Sequence, residues 1–315
     1  MPARAVRRRL FRIFMSLPPP ILRLLSGGAG VHSAGRTLDP RLQYLNGLDG
    51  LGDDAGLPDP DPSVARERLT IDIPTGQAAA TALRPLRQDS DLPVLVFAAA
   101  SGPASHADGC EALCAMIARE ARSVVLCVDA APRSLSPDDA VTRVRAIYDW
   151  TRRNGERFGA PADDAAIGGA GLGGAIAARI TLELKIQGEP QPALQFLLSP
   201  DFTETDFTGV EGAGLAPAVI ATTGFDAAAD SAEAYARALR SAGVSCHFRR
   251  YDSLTEAFVA FTGVVPAAAR AAREIASLTA HALQSRYAPS DAAARLMREA
   301  VSETPTIVDR REAFN

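Results

Sequence analysis

"IGGAGLGGAIAARI", running from Ile167 to Ile180, places five glycines within seven residues, and its reading decides the fold. The spacing Gly169-x-Gly171-x-x-Gly174 fits a dinucleotide-binding fingerprint, where glycines let the backbone close on a pyrophosphate at a helix N-terminus. It fits equally a strand–turn–helix elbow that presents a catalytic nucleophile, with Gly171 standing where serine would be. The string alone leaves both readings open. Its neighbours have to arbitrate.

Before the glycines, "LTIDIP" and "ATALRPL" flank Thr75-Gly76 and predict a hairpin starting near Arg68. "LPVLVFAAA" and "SVVLCVD" predict buried strands, "GCEALCAMIAREA" a helix, and 137–153 a second helix. "AAIGGA" is then a strand, followed by a helix from Leu172 to about Lys185. "ALQFLLSP", "APAVIATTGFD" and "SCHFRRYD" are further strands, with a helix over 229–241 between the last two and an alanine-rich helix over 266–285 at the end. Alternation of this kind predicts an α/β fold: a mostly parallel, roughly eight-stranded sheet with helices on both faces. The predicted division is an N-terminal basic helix and cap or linker segment over 1–66, a core over 67–286, and a C-terminal helix and mobile tail over 287–315. Gly27 to Pro62 reads as irregular, with a short helix around Leu42 to Leu45.

Element order weighs on the opening question. A dinucleotide fingerprint normally follows the first strand of its unit, whereas this glycine turn follows roughly the fifth. Asp201, ending the next strand, would be the ribose-reading acid and keeps the nucleotide alternative in view.

Composition narrows the function. With 315 residues, 22% charged and 47% hydrophobic, the chain can bury a sizeable core. A formal net charge of −4 argues against a nucleic-acid partner. The four cysteines, Cys110, Cys114, Cys127 and Cys246, match no zinc spacing. They read as free thiols in a reducing compartment, with no metal and no cofactor expected. Arg4, Arg7, Arg8, Arg9 and Arg12 precede Val6, Leu10, Ile13, Phe14 and Leu17 at helical spacing or interleave with them, a basic amphipathic pattern. Pro18-Pro19-Pro20 breaks the apolar stretch, so a signal peptide is not indicated. Such a helix can touch an anionic membrane peripherally or pack on its own domain. The predicted location is cytoplasmic.

From Pro93 to Phe258 the chain resembles the hormone-sensitive-lipase-like, esterase/lipase branch of the α/β hydrolases. "LPVLVF" leads to that family's oxyanion-loop position, and "CEALCAMIAREARSVVLCVD" resembles the helix and strand after it. "AIGGAGLGGAIAARI" resembles the elbow and "PALQFLLSP" the next strand. "GFDAAADSAEAYARALRSAGV" resembles the acid-bearing turn, and "FRRYDSLTEAF" the histidine loop. "RTLDPRLQ" resembles the N-terminal cap segment. The resemblance implies a serine activated by histidine, an acid that orients the histidine, and backbone donors for an oxyanion.

This chain departs from the pattern in three of those slots. The elbow G-D-S-A-G-G reads Gly169-Ala170-Gly171-Leu172-Gly173-Gly174, so the nucleophile slot is Gly171. The oxyanion pattern H-G-G-G reads Ala98-Ala99-Ala100-Ser101, which puts Ala99, Ala100, Ser101 and the N–H of Leu172 in the oxyanion region. The histidine slot of H-G-F is Glu256. Only the acid remains, as Asp226. None of His32, His106, His247 and His281 falls in a triad slot. "DFTETDFTGVEGAGLA", between Pro200 and Pro217, replaces a longer excursion, so the cap is reduced.

The expected function is therefore that of a catalytically defective hydrolase serving as a binding, regulatory or accessory subunit. Its partner would be an active homologue or another protein subunit, or a small apolar ligand in the former acyl pocket; a homodimer is a further expectation. The alternatives are a non-hydrolytic acid/base enzyme using Asp226 and Glu256, and a weak carboxylesterase whose nucleophile has moved to Ser101 or Ser105.

Overall fold

Runs such as Val94-Leu95-Val96-Phe97-Ala98 are apolar at every position, and a strand of that kind must bury both faces. The computed structural model, which describes residues 15–25, 30–46, 56–86, 93–99, 107–130, 135–159, 165–203 and 211–287, meets that demand with a central eight-stranded sheet. Its strands are β1 (Val64–Ile73), β2 (Gly76–Pro85), β3 (Val94–Ala99), β4 (Val124–Asp129), β5 (Ala165–Ala170), β6 (Gln195–Leu198), β7 (Ala218–Phe225) and β8 (Cys246–Thr255). Their spatial order is β1-β2-β4-β3-β5-β6-β7-β8. β1 and β2 form an antiparallel hairpin and β2 joins β4 antiparallel, while every neighbouring pair from β4 to β8 is parallel.

The helices are α1 (Pro19–Leu25), α2 (Pro40–Asn46), α3 (Ala107–Ala121), α4 (Pro137–Arg153), α5 (Leu172–Ile186), α6 (Ala229–Ser241) and α7 (Pro266–Tyr287). Strand parity splits the core in two. Val94, Val96 and Ala98 share one apolar cluster with Val144 and Ile147 of α4, Ile176 and Ile180 of α5, and Leu239 of α6. Leu95 and Phe97 share the other with Leu113 and Ile117 of α3, Ile275 and Leu283 of α7, and Leu42 and Leu45 of α2.

Three local expectations change. The proline run opens a helix as well as ending a stretch: the N–H groups of Ile21 and Leu22 both donate to Pro18 O, at 3.0 and 3.3 Å. Proline suits this first turn, where its missing N–H would have had no partner. The short helix expected around Leu42 to Leu45 is present as α2, but the stretch otherwise read as irregular also holds a two-residue antiparallel ladder joining His32–Ser33 to Arg36–Thr37. The first strand begins at Val64, before Arg68. Most of the N-terminal basic helix and the whole 288–315 tail lie outside the described residues.

Candidate functional site: an elbow and three carboxylates

The glycine run is explained position by position. Gly169 ends β5 against α5: a Cβ there would run into the carbonyl of Gly173 and lie 2.5 Å from Ala98 O. A Cβ on Gly173 would run into Ala98 O and lie 2.6 Å from Ala98 C. Neither position tolerates a side chain, because the first turn of α5 sits directly on the backbone of β3. Gly171 differs. It holds φ 54° and ψ −122°, a conformation that L side chains rarely adopt, yet among the described residues a Cβ there would meet nothing within 4 Å. The conformation, not crowding, favours glycine at the apex.

Hydrogen bonds hold the apex in place. Gly171 N–H donates to Leu198 O at 3.0 Å, and Gly171 O accepts from Ala175 N–H at 3.1 Å and from Asp201 N–H at 3.0 Å. Leu172 follows as the first residue of α5, where helix N–H groups have no partner within the helix. Ala99 closes β3 and is half-buried. Ala100 and Ser101, like Ser105 and His106, lie outside the described residues.

Register brings Asp226 and Glu256 to the same end of two adjacent strands. Thr255 of β8 is the partner of Phe225 of β7, so Asp226 and Glu256 immediately follow the ends of two paired strands. Thr222 Oγ1 donates to Asp226 Oδ2 at 2.9 Å, and Ala228 N–H donates to Oδ1 at 2.9 Å. Glu256 opens the 3₁₀ turn Glu256–Phe261 with an exposed side chain, and among the described residues no hydrogen bond or ion pair reaches its carboxyl. Partial burial, then the charge of Asp226, then that of Asp201, raise the Glu256 carboxyl above its ordinary value.

Asp201 is the group that sequence reasoning assigned elsewhere. Read as a nucleotide acid, it instead stands over the elbow, with Oδ1 accepting from Thr203 N–H at 3.1 Å and Thr203 Oγ1 at 2.7 Å. Its position at the end of the strand after the elbow was the available signal. Ser199, between the two, holds φ 42° and is buried, and among the described residues its Oγ has no hydrogen-bond partner. Positive φ in a non-glycine residue concentrates at functional sites.

The described histidines stand apart from any such cluster in sequence and element: His32 pairs with Thr37, while His247 and His281 are exposed on β8 and α7. Among the described residues, no group of three or more His, Cys, Asp or Glu side chains is arranged to hold a metal ion. No helix among them is long and apolar enough to cross a membrane.

Comparison with known proteins agrees with this geometry. Residues 98–213 and 207–260 match the family of the α/β hydrolase fold, a span of more than half the chain. The carboxylic ester hydrolase LipN of Mycobacterium tuberculosis is 31% identical over 312 residues, covering 77% of this chain and 82% of LipN. A mutant of the esterase rPPE shares the fold with a TM-score of 0.64 at 22% identity, covering 84% of this chain and 96% of its own. The esterase of Pyrobaculum calidifontis follows with a TM-score of 0.59 at 21% identity, covering 69% of this chain and 85% of its own.

Proposed function

This chain belongs to the α/β hydrolase fold family, within its esterase/lipase-like, hormone-sensitive-lipase branch, and from that premise we propose that it is a noncatalytic member whose fold serves binding or regulation. One observation supports this most: the apex of the elbow, in the conformation that presents a nucleophile, carries Gly171 and therefore no side chain. Glu256 in the histidine slot removes the general base as well. Catalytic triads act as a unit, and without serine and histidine only roughly 10³–10⁴-fold catalysis over water survives, through the oxyanion hole and binding. The oxyanion slots of the resemblance also lack their glycines, carrying Ala99, Ala100 and Ser101 instead.

The retained use is capture of a small apolar ligand in the former acyl pocket, or of a protein subunit such as an active homologue. The test is hydrolysis of short-chain p-nitrophenyl esters by the purified protein, beside Ser101→Ala and Ser105→Ala. Turnover no greater than an albumin blank is expected. Turnover well above it, abolished by either substitution, would identify a relocated serine nucleophile and overturn the reading.

A second reading rests on the three carboxylates. The raised Glu256 carboxyl beside Asp226 supports an acid/base pair suited to isomerisation or elimination without an acyl-enzyme. A ligand-binding or rate profile against pH that Glu256→Gln leaves unchanged would end this alternative.

A further inference from the structure

Charge is divided unevenly along this chain. Its first 38 residues hold seven arginines, from Arg4 to Arg36, and no aspartate or glutamate; the first acid is Asp39. All 37 acids follow, with 26 of the 33 basic residues, so the overall −4 divides into +7 before Asp39 and −11 from there on. Arg4, Arg7, Arg8, Arg9 and Arg12 lie outside the described residues, but they are joined covalently to α1 and their charge travels with it.

α1 supplies an apolar face. Met15 and Leu22 are buried, and Arg41 Nε and Nη2 donate to Met15 O and Leu17 O at 2.9 and 3.3 Å, which fastens this stretch to α2. With Leu22 turned inward, Ile21 and Leu24, one helical turn apart, stand outward at 43% and 76% exposure. Val31, whose N–H donates to Gln43 Oε1 of α2 at 3.2 Å, is exposed as well. Six large hydrophobic side chains are exposed among the described residues, and three of them fall between Ile21 and Val31. Scattered singly, such residues need no explanation; gathered next to an acid-free basic segment, they mark an interaction surface. α2, on which α1 packs, is itself fixed near the end of β8, where Asp39 N–H donates to Ser253 O at 2.9 Å.

We propose that α1 is a peripheral docking surface for an anionic phospholipid bilayer. Ile21 and Leu24 enter the boundary between headgroups and acyl chains, and the arginines of the leading segment meet the headgroup phosphates. Stable peripheral attachment needs two such signals together, since one alone is weak and reversible. Each basic residue near an anionic surface strengthens partitioning by roughly fivefold, a gain that salt screens. The chain from Asp39 onward carries the opposite sign and is repelled by the same surface, which orients the protein with α1 toward the lipid. None of this depends on whether the elbow hydrolyses esters.

The test is sedimentation of the purified full chain with vesicles of equimolar phosphatidylglycerol and phosphatidylcholine, beside vesicles of phosphatidylcholine alone. Binding to the anionic vesicles that weakens with salt is expected, with little binding to the neutral ones. Arg7→Gln, Arg8→Gln and Arg9→Gln together should weaken it by roughly a hundredfold. Ile21→Ser with Leu24→Ser should weaken it by roughly tenfold and leave the melting temperature close to the parent's, because both side chains already meet water. No binding to either vesicle, equal binding to both, or anionic binding that the Ile21 and Leu24 substitutions leave intact would overturn the proposal. A melting temperature sharply lowered by that pair would assign the apolar face to the chain's own packing and overturn it too. Capture of RNA in place of vesicles, unaltered by the pair, would assign the arginines to nucleic acid with the same consequence.

Discussion

At the scale of single residues, the three elbow glycines make separable predictions. Gly171→Ala adds a methyl into space that no described residue fills but forces a side chain onto φ 54°, which costs about 1–3 kcal/mol. Gly173→Ala drives a Cβ into the backbone of Ala98 and should cost more, or prevent folding, as judged by urea unfolding. The open apex also means that Gly171→Ser combined with Glu256→His can restore the missing groups, since Asp226 is still oriented by Thr222 and Ala228. Ester turnover above the parent is expected; a folded double variant with none would show that the alanine-built oxyanion region is the deeper defect. Glu256 makes a pH prediction. A carboxyl raised in the folded state favours the neutral form, so the stability it contributes is complete below its unfolded value of 4.5 and is lost as pH rises through the raised folded value. Glu256→Gln, which mimics the neutral form, should therefore melt above the parent at pH 8 and together with it below pH 4 or so. Equal melting at both would place Glu256 free of its neighbours' charge.

At the scale of elements, polar side chains fix where helices begin and how they dock. Ser136 caps α4: its Oγ accepts from Asp139 N–H at 3.2 Å and donates to Asp139 Oδ2 at 2.7 Å, with Pro137 next in the first turn. Ser136→Ala should cost about 0.5–2 kcal/mol in chemical unfolding. On the same face of the sheet, buried Tyr235 of α6 donates its hydroxyl to Gln195 Oε1 at 3.0 Å, and Gln195 Nε2 donates to Ala216 O at 2.9 Å. Burial raises the Tyr235 hydroxyl above its ordinary value. Tyr235→Phe strands an acceptor in the core and should cost about 1–3 kcal/mol, more than an exposed hydroxyl would. The 137–153 and 229–241 helices were legible because acidic first turns and apolar spacing are local properties, with the Ser136 cap marking the start of the first. The α1 helix was not, because a proline run is an end signal or a start signal according to what its next turn packs against.

At the scale of the whole molecule, the N-terminal segment is part of the body. Asp39 N–H donates to Ser253 O at 2.9 Å, Arg36 pairs with Asp252 at 3.0 Å, and Arg41 Nε donates to Met15 O at 2.9 Å. Met15, Leu22, Leu38, Leu42 and Leu45 are all buried. Fully burying one such side chain is worth about 1.5–3 kcal/mol, so five rival the roughly 5–15 kcal/mol net stability of an ordinary domain. Deleting residues 1–46 should therefore lower the melting temperature sharply and expose apolar surface to a hydrophobic dye. An unchanged melting curve would mean the segment rests on the body without stabilising it.

The sequence by itself determined the architecture and the family. Both rest on local signals repeated in order: apolar runs of strand length, helices of matching length between them, and an elbow whose glycines are spaced by backbone contact. It also showed Gly171 and Glu256 standing where the family resemblance expects serine and histidine, because residue identity is visible without coordinates. Only the tertiary structure decided that the charges of Asp226 and Asp201 act on the Glu256 carboxyl. Those groups lie on different strands and helices, and their approach depends on strand register and on which face each element presents. The space that the described residues leave at the elbow's apex is a fact of the same kind, since a sequence records which residue is present and not how much space surrounds it.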